Sequence, residues 1–259
     1  MRAARGVLTV AMLCTASAAL ADPPPAHHAV PFPHPVITEV LYAAPGEEPS
    51  DPNLDGIPDS AGDEFVEIMN PHDKPIEITG YMIVDKAGYA ERADTRKAGA
   101  KKAKRRGLRF VFPAQRLEPG EIAVVFNGYQ ARMKGPVGDA ARPAGRHPQF
   151  HDAYVYTMRN SSRARTFSNG GDFAALLAPG GAPIDVVTWG KDGDEPTAPP
   201  DGAVRSEESP RAAKCSVQRL SADSELIPHL EINDEACSPG FIPPAPPPKK
   251  IEKKPKKKK

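Results

Sequence analysis

The sequence predicts an all-β fold, an antiparallel β-sandwich with long loop insertions and disordered termini, and three observations carry that prediction. Proline and glycine are frequent, 31 and 21 of 259 residues, a density of chain-breakers that excludes a helical bundle, a coiled coil or a doubly wound α/β enzyme. Short apolar runs recur with turn residues between them, the pattern of antiparallel strands rather than βαβ units. A hydrophobic fraction of 39% beside 26% charged residues suits an ordered core with unstructured ends.

The N-terminus reads as a secretory signal over residues 1–21. Arg2 and Arg5 form its charged part, Val7 to Ala19 its apolar part and Ala19-Leu20-Ala21 its small-x-small cleavage site, with cleavage expected before Asp22. The apolar run is shorter than the roughly 20 residues of a spanning helix, so no transmembrane helix is expected. Bulky Leu13 before Cys14 disfavours a lipid attachment site. Residues 22–35 form a proline-rich, polyproline-like lead-in.

The first strand is expected over Val36–Tyr42. In the next, Glu64–Asn70, acid and apolar residues alternate, so that Val66 and Ile68 face one way and Glu67 the other. Further strands are expected over 76–85, 108–112, 122–127, 173–178, 184–189 and 216–220, with a hairpin connection at Pro179-Gly180-Gly181-Ala182. No stretch shows a convincing amphipathic helix. Residues 36–241 make one domain, followed by a disordered Pro/Lys-rich tail over 242–259.

Charge is divided unevenly. Residues 22–248 hold 24 basic and 32 acidic groups, a net of −8, whereas residues 249–259 carry +7. A basic block lies at 92–109, and eleven acids crowd residues 39–77 with Lys74 the one lysine among them. Lys101, Lys102, Lys104, Arg105 and Arg106 of that block, with Lys249, Lys250, Lys253, Lys254, Lys256, Lys257, Lys258 and Lys259 of the tail, are the candidate polyanion contacts. The partners they suit are an acidic envelope polymer, a glycan or extracellular DNA.

Asp51, Asn53, Asp55 and Asp59 stand at positions 1, 3, 5 and 9 of a calcium loop, with Gly56 at the sharp bend and the Ile57 carbonyl at position 7. Position 12 is Gly62, so Asp63 or Glu64 must close the site. Calcium is thus the one expected cofactor, in a structural role. Cys215 and Cys237 remain after signal removal and are expected to form a disulfide. His147 and His151 lack the helix or nearby cysteines that zinc would need. Glu39 and Glu67, in candidate strands, could pair as a glycosidase's acid and nucleophile, although water-facing glutamates of a sandwich edge are the preferred reading. Trp189 and Tyr81 are expected in the core rather than on a sugar-stacking platform. No G-x-S-x-G, P-loop or H-E-x-x-H motif occurs.

The order of motifs resembles the lamin tail domain family. The matching segments are Val36-Ile37-Thr38-Glu39-Val40, residues 63–70 (DEFVEIMN), 78–83 (ITGYMI), 117–121 (LEPGE), 167–172 (FSNGGD), 181–187 (GAPIDVV) and the closing Cys237-Ser238-Pro239-Gly240. Against the family's pattern, residues 86–107 and 129–166 look like loop insertions. The resemblance implies an immunoglobulin-like sandwich and a non-enzymatic binding or structural role, with no catalytic residues to carry over. The expected function is therefore an exported binding or tethering module at the cell envelope, in the periplasm, at the surface or outside. Two alternatives stand beside it: a secreted hydrolase or nuclease-associated protein with its site in the 129–166 insertion, and a purely structural envelope component. Oligomeric state is not legible from the sequence.

Overall fold

The computed structural model describes residues 30–94, 107–190, 195–210, 212 and 214–247. The signal segment 1–21, residues Lys101, Lys102, Lys104, Arg105 and Arg106, and the tail from Lys249 onward lie outside the described residues. Among those described, no helix is long and apolar enough to cross a membrane.

In chain order the elements are β1 (Val36–Leu41), β2 (Phe65–Met69), β3 (Ile76–Glu77), β4 (Met82–Val84), α1 (Lys86–Asp94), β5 (Arg109–Val111), β6 (Arg116–Leu117) and β7 (Ile122–Phe126). They continue with β8 (Arg146–His147), β9 (Ala153–Thr157), β10 (Gly171–Leu177), β11 (Pro183–Gly190), β12 (Arg205–Glu208), β13 (Val217–Gln218) and β14 (Ile227–Pro228). Two sheets stack: a seven-stranded one, ordered β14-β13-β1-β2-β7-β9-β8, and a five-stranded one, ordered β12-β11-β10-β4-β5. The small ribbon β3-β6 stands beside them. Pairing is mainly antiparallel, with one parallel pair in each sheet, β7 with β9 and β11 with β12.

The strand period sorts the side chains between the layers. Val40 of β1, Val66 and Ile68 of β2, Val125 of β7 and Val217 of β13 meet Ala174 and Leu176 of β10 and Val187 and Trp189 of β11 in the central core. Trp189 is buried there as expected, its indole stacked on Tyr42 with centroids 4.1 Å apart. The Pro179–Ala182 connection closes as a hairpin in which Ala178 N donates to Ala182 O (2.8 Å) and Gly181 holds φ +86°.

Both outer faces are covered too, which the alternation alone does not reveal. Phe65, Val124, Phe126 and Val155 turn to the outside of the seven-stranded sheet, where Phe150, Met133 and Val137 of the 129–166 segment pack on them. That segment is therefore no simple loop insertion, since it contributes β8, β9 and an outer apolar layer. On the other sheet, Met82, Val84, Phe173 and Ala175 form a third cluster against which Tyr89 of α1 packs. No helix was expected at α1. Its sequence, KAGYAERAD, offers little apolar stripe, and its start is fixed instead by Asp85, whose Oδ1 accepts from Gly88 N at 2.6 Å.

The end of the lead-in also departs from the expectation of an unstructured arm. Val30 is buried in the central core and His34 Nδ1 lies 2.6 Å from the Tyr81 hydroxyl.

Candidate functional site

The acidic loop 51–63 ends at the start of β2. Its turns are made by its own side chains. Asp51 Oδ2 accepts from Gly56 N (2.9 Å), Asn53 Oδ1 from Asp55 N (2.9 Å) and Asp59 Oδ1 from Gly62 N (2.7 Å). Gly56 holds φ +87° at the bend, a value that suits glycine. Asp55 Oδ2 reaches outward to accept from Arg132 N at 2.7 Å, docking the loop on the segment after β7. A cavity of about 420 Å³ opens between them, lined by Asn53, Asp55, Ile57, Asp59, Gln130 and Arg132 among others.

Asp63 is the odd member of this group. It is 0% exposed; Oδ2 accepts from Asp59 N at 2.7 Å, whereas Oδ1 is buried with no hydrogen-bond partner. Burial first, and then the like charges of Asp51, Asp55 and Asp59, push its carboxyl up to about 7. Glu64, the other residue expected to close a calcium site, points elsewhere. Its Oε2 accepts from Phe167 N (3.1 Å) and Asn127 Nδ2 (3.3 Å) instead. Among the described residues, no group of three acidic, histidine or cysteine side chains is arranged to hold a metal ion.

Glu39 and Glu67 do pair. They sit directly opposite each other on β1 and β2, and both are 0% exposed rather than facing water. Glu39 Oε1 accepts from the Ser216 hydroxyl and from Ser238 N (3.0 Å), while Glu67 takes the Thr38 hydroxyl (2.7 Å) and Gly240 N (2.7 Å). The segment 238–240 thus roofs the pair. Burial and the facing Glu67 hold Glu39 well above the usual carboxylate range, and burial raises Glu67 to about 7. A sealed carboxylate pair has no access for a sugar, so the geometry of a glycosidase is not met.

The expected disulfide is not formed: Cys215 and Cys237 are free. Ser216 N donates to Ala236 O at 2.8 Å and brings the two segments together. Their side chains nonetheless belong to different layers, Cys215 to the central core and Cys237 to the outer cluster beside Phe150. His147 and His151 are apart as well. His147 Nε2 contacts Lys134 O at 2.7 Å, whereas His151 stacks on Phe241.

The 129–166 segment, where the hydrolase alternative puts its site, does line a second cleft, of about 620 Å³, beyond the C-terminal ends of β7 and β9, although the sequence alone does not single out its arginines. Arg142 and Arg159 line it and converge on one oxygen, Asp139 Oδ2, at 2.9 and 3.0 Å. Slight desolvation of Asp139 is outweighed by Ala141 N, Arg142 and Arg159, which hold its carboxyl below the usual range. The available signal was the charge of residues 129–166, seven basic against two acidic.

These features define an immunoglobulin-like sandwich that presents charged loops and clefts at its surface. The lamin tail domain model matches residues 30–191, more than half of the sequence, and the chain belongs to that family of generally non-enzymatic domains. The sandwich continues past the match, since β12 pairs with β11 and β13 with β1. A search of characterised proteins returned no match.

Proposed function

We propose that this chain is an exported, non-enzymatic binding module that tethers at the cell envelope, its sandwich stabilised by calcium in loop 51–63. Its contacts to polyanions are the basic residues Lys101–Arg106 and the tail from Lys249. The observation that carries the calcium assignment is Asp63, whose buried oxygen lacks a partner among three further carboxylates. These side chains now cap the loop's own backbone and are not gathered round one point, so the loop must re-form about a divalent cation. Asp51, Asn53, Asp55, Asp59 and Asp63 would then hold it, relieving that repulsion and supplying the missing partner. The sealing of Glu39 and Glu67 supports binding over hydrolysis. Export rests on the signal-like N-terminus, and polyanion contact on a tail of +7 beside a body of −8.

Calcium titration followed by thermal melting tests the first half. The melting temperature should rise with calcium, with a dissociation constant of about 0.1–1 mM as in extracellular modules. Asp63→Asn should abolish that rise. A melting temperature indifferent to calcium and chelator removes the cation. For the second half, deleting residues 243–259 should weaken cosedimentation with acidic envelope polymer and flatten its salt dependence. Undiminished binding by the truncated protein rules the tail out.

A further inference from the structure

β7 and β9 are parallel neighbours, so the chains leaving their C-terminal ends emerge on the same side of the sheet. The 620 Å³ cleft lies between these two exits, with Tyr129 and Gln130 on one wall and Asn160 and Ser161 on the other. Its size is that of a small-molecule site. Its backbone is unusually constrained. Gln130 and Arg159 hold φ of +55° and +49°, and Gly128 and Gly135 are also left-handed. Side chains in that conformation persist where the surroundings over-determine them, and they concentrate at binding sites. The surroundings here do so. Gly128 N donates to Gly62 O (3.1 Å), Arg159 N to Thr157 Oγ1 (3.1 Å) and Asn160 Nδ2 to Asn127 Oδ1 (3.1 Å).

The charge in the cleft is equally specific. Arg142 and Arg159 share a single carboxylate oxygen of Asp139, so the trio carries a net positive charge while both arginine side chains stay about 60% exposed. A guanidinium is a planar fork that matches an oxyanion through two parallel hydrogen bonds. The remaining walls offer amide and hydroxyl groups from Gln130, Tyr129, Thr157, Asn160 and Ser161. That set suits a hydroxyl-rich ring carrying one anionic group.

We propose that this cleft binds an acidic sugar, with Arg142 and Arg159 taking the carboxylate of a uronic residue and the amide and hydroxyl side chains taking its ring hydroxyls. The inference rests on the polyanion-binding reading and gives it a built site within the sandwich, separate from the lysine tail. A nucleic-acid backbone is the poorer fit, because tracking successive phosphates needs a stripe of cations rather than two arginines converging on one point. Asp55 and Gly62 of the acidic loop brace the cleft wall through Arg132 N and Gly128 N, so occupancy of that loop would steady the cleft.

Calorimetric titration of the mature protein, residues 22–259, with galacturonate oligomers tests the proposal, with neutral galactose oligomers and duplex DNA as comparisons. The R142Q/R159N double variant is the main probe, since asparagine tolerates the left-handed backbone at position 159. Galacturonate should bind, neutral oligomers should bind much more weakly, and the double variant should lose about tenfold or more in affinity. Deletion of residues 243–259 should leave that affinity within about twofold. Thermal melting shows whether the double variant is folded; if it is not, R142Q alone, at an exposed side chain, should show the loss. Undiminished galacturonate binding by the folded variant overturns the cleft. Binding that survives the arginine changes but vanishes with the tail also overturns the cleft and leaves the polyanion reading standing. DNA bound more tightly, with the same arginine dependence, overturns the sugar assignment. Failure to bind any acidic polymer overturns both readings.

Discussion

Two polar clusters are buried against β1, and they handle charge in opposite ways. On one side, Arg219 is 0% exposed within a set of opposite charges. Its Nε donates to Ile37 O (3.0 Å), and its Nη1 donates to Ser224 O (2.7 Å) and to Glu207, which also takes Leu226 N. Asp185 Oδ2 accepts from Ile37 N at 2.9 Å. The ladder between β1 and β2 shifts register just after Ile37, and this cluster takes up the backbone groups at the irregularity. On the other side, Glu39 faces Glu67, two acids without an ion pair among the described residues. In the first cluster Arg219, just past β13 of one sheet, pairs with Glu207 of β12 in the other, while Asp185 of β11 is buried beside it. In the second, burial and the closeness of two acids favour the protonated carboxyls. The lesson is that full burial of a carboxylate is compatible with two stable solutions, and that they respond differently to mutation and to pH.

The largest expected effect is at the paired cluster. Arg219→Met takes the nearest cation from buried Asp185 and one of two from Glu207, which keeps Arg205 at 3.2 Å. Breaking a buried pair from one side costs about 3–5 kcal/mol, to be read from urea denaturation. A loss below about 1 kcal/mol would mean that the cluster is neutral ornament rather than a clasp between sheets.

The acid pair predicts a pH effect of definite sign. Both carboxyls are raised in the folded protein, so their contribution is complete at low pH, below the ordinary carboxylate range, and is lost as pH climbs through about 7 for Glu67 and higher for Glu39. Asp63 and Asp85, each raised to about 7 chiefly by burial, act in the same direction. Stability should therefore decline between about pH 5 and 8, each group adding up to about 1.4 kcal/mol per pH unit. Glu67→Gln should make the decline shallower by about one group's share. An identical slope in the variant would show that Glu67 is already ionised at neutral pH.

How far these arrangements could be read from the sequence follows from their range along the chain. The alternation in β2 correctly placed Val66 and Ile68 in the central core, and the spacing of Asp51, Asn53, Asp55 and Asp59 marked a tight, acid-lined turn. The burial of Glu67 could not be seen locally, because the Gly240 amide that roofs it lies 173 residues away. Similarly, β12, RSEE, is absent from the expected strands, because its polar sequence carries no strand signal apart from its parallel partner β11. The arginine cleft depends on β7 and β9 being adjacent and parallel, a pairing that composition does not encode.

The smallest expected effect supplies the control for the comparison. Arg116 and Glu118 form an ion pair of 2.9 Å, close in length to the buried contacts, yet their side chains are 58% and 49% exposed. Water already solvates both charges, and holding two long side chains in one geometry costs rotamer entropy that offsets the attraction. Arg116→Ala should therefore change stability by about 0–1 kcal/mol, with the difference shrinking further in high salt. Measured beside Arg219→Met under the same denaturant, it separates the distance between charges from their burial. Equal losses at the two sites would make proximity the governing variable, whereas the wide gap expected here assigns the effect to desolvation and to the partners left behind in the core.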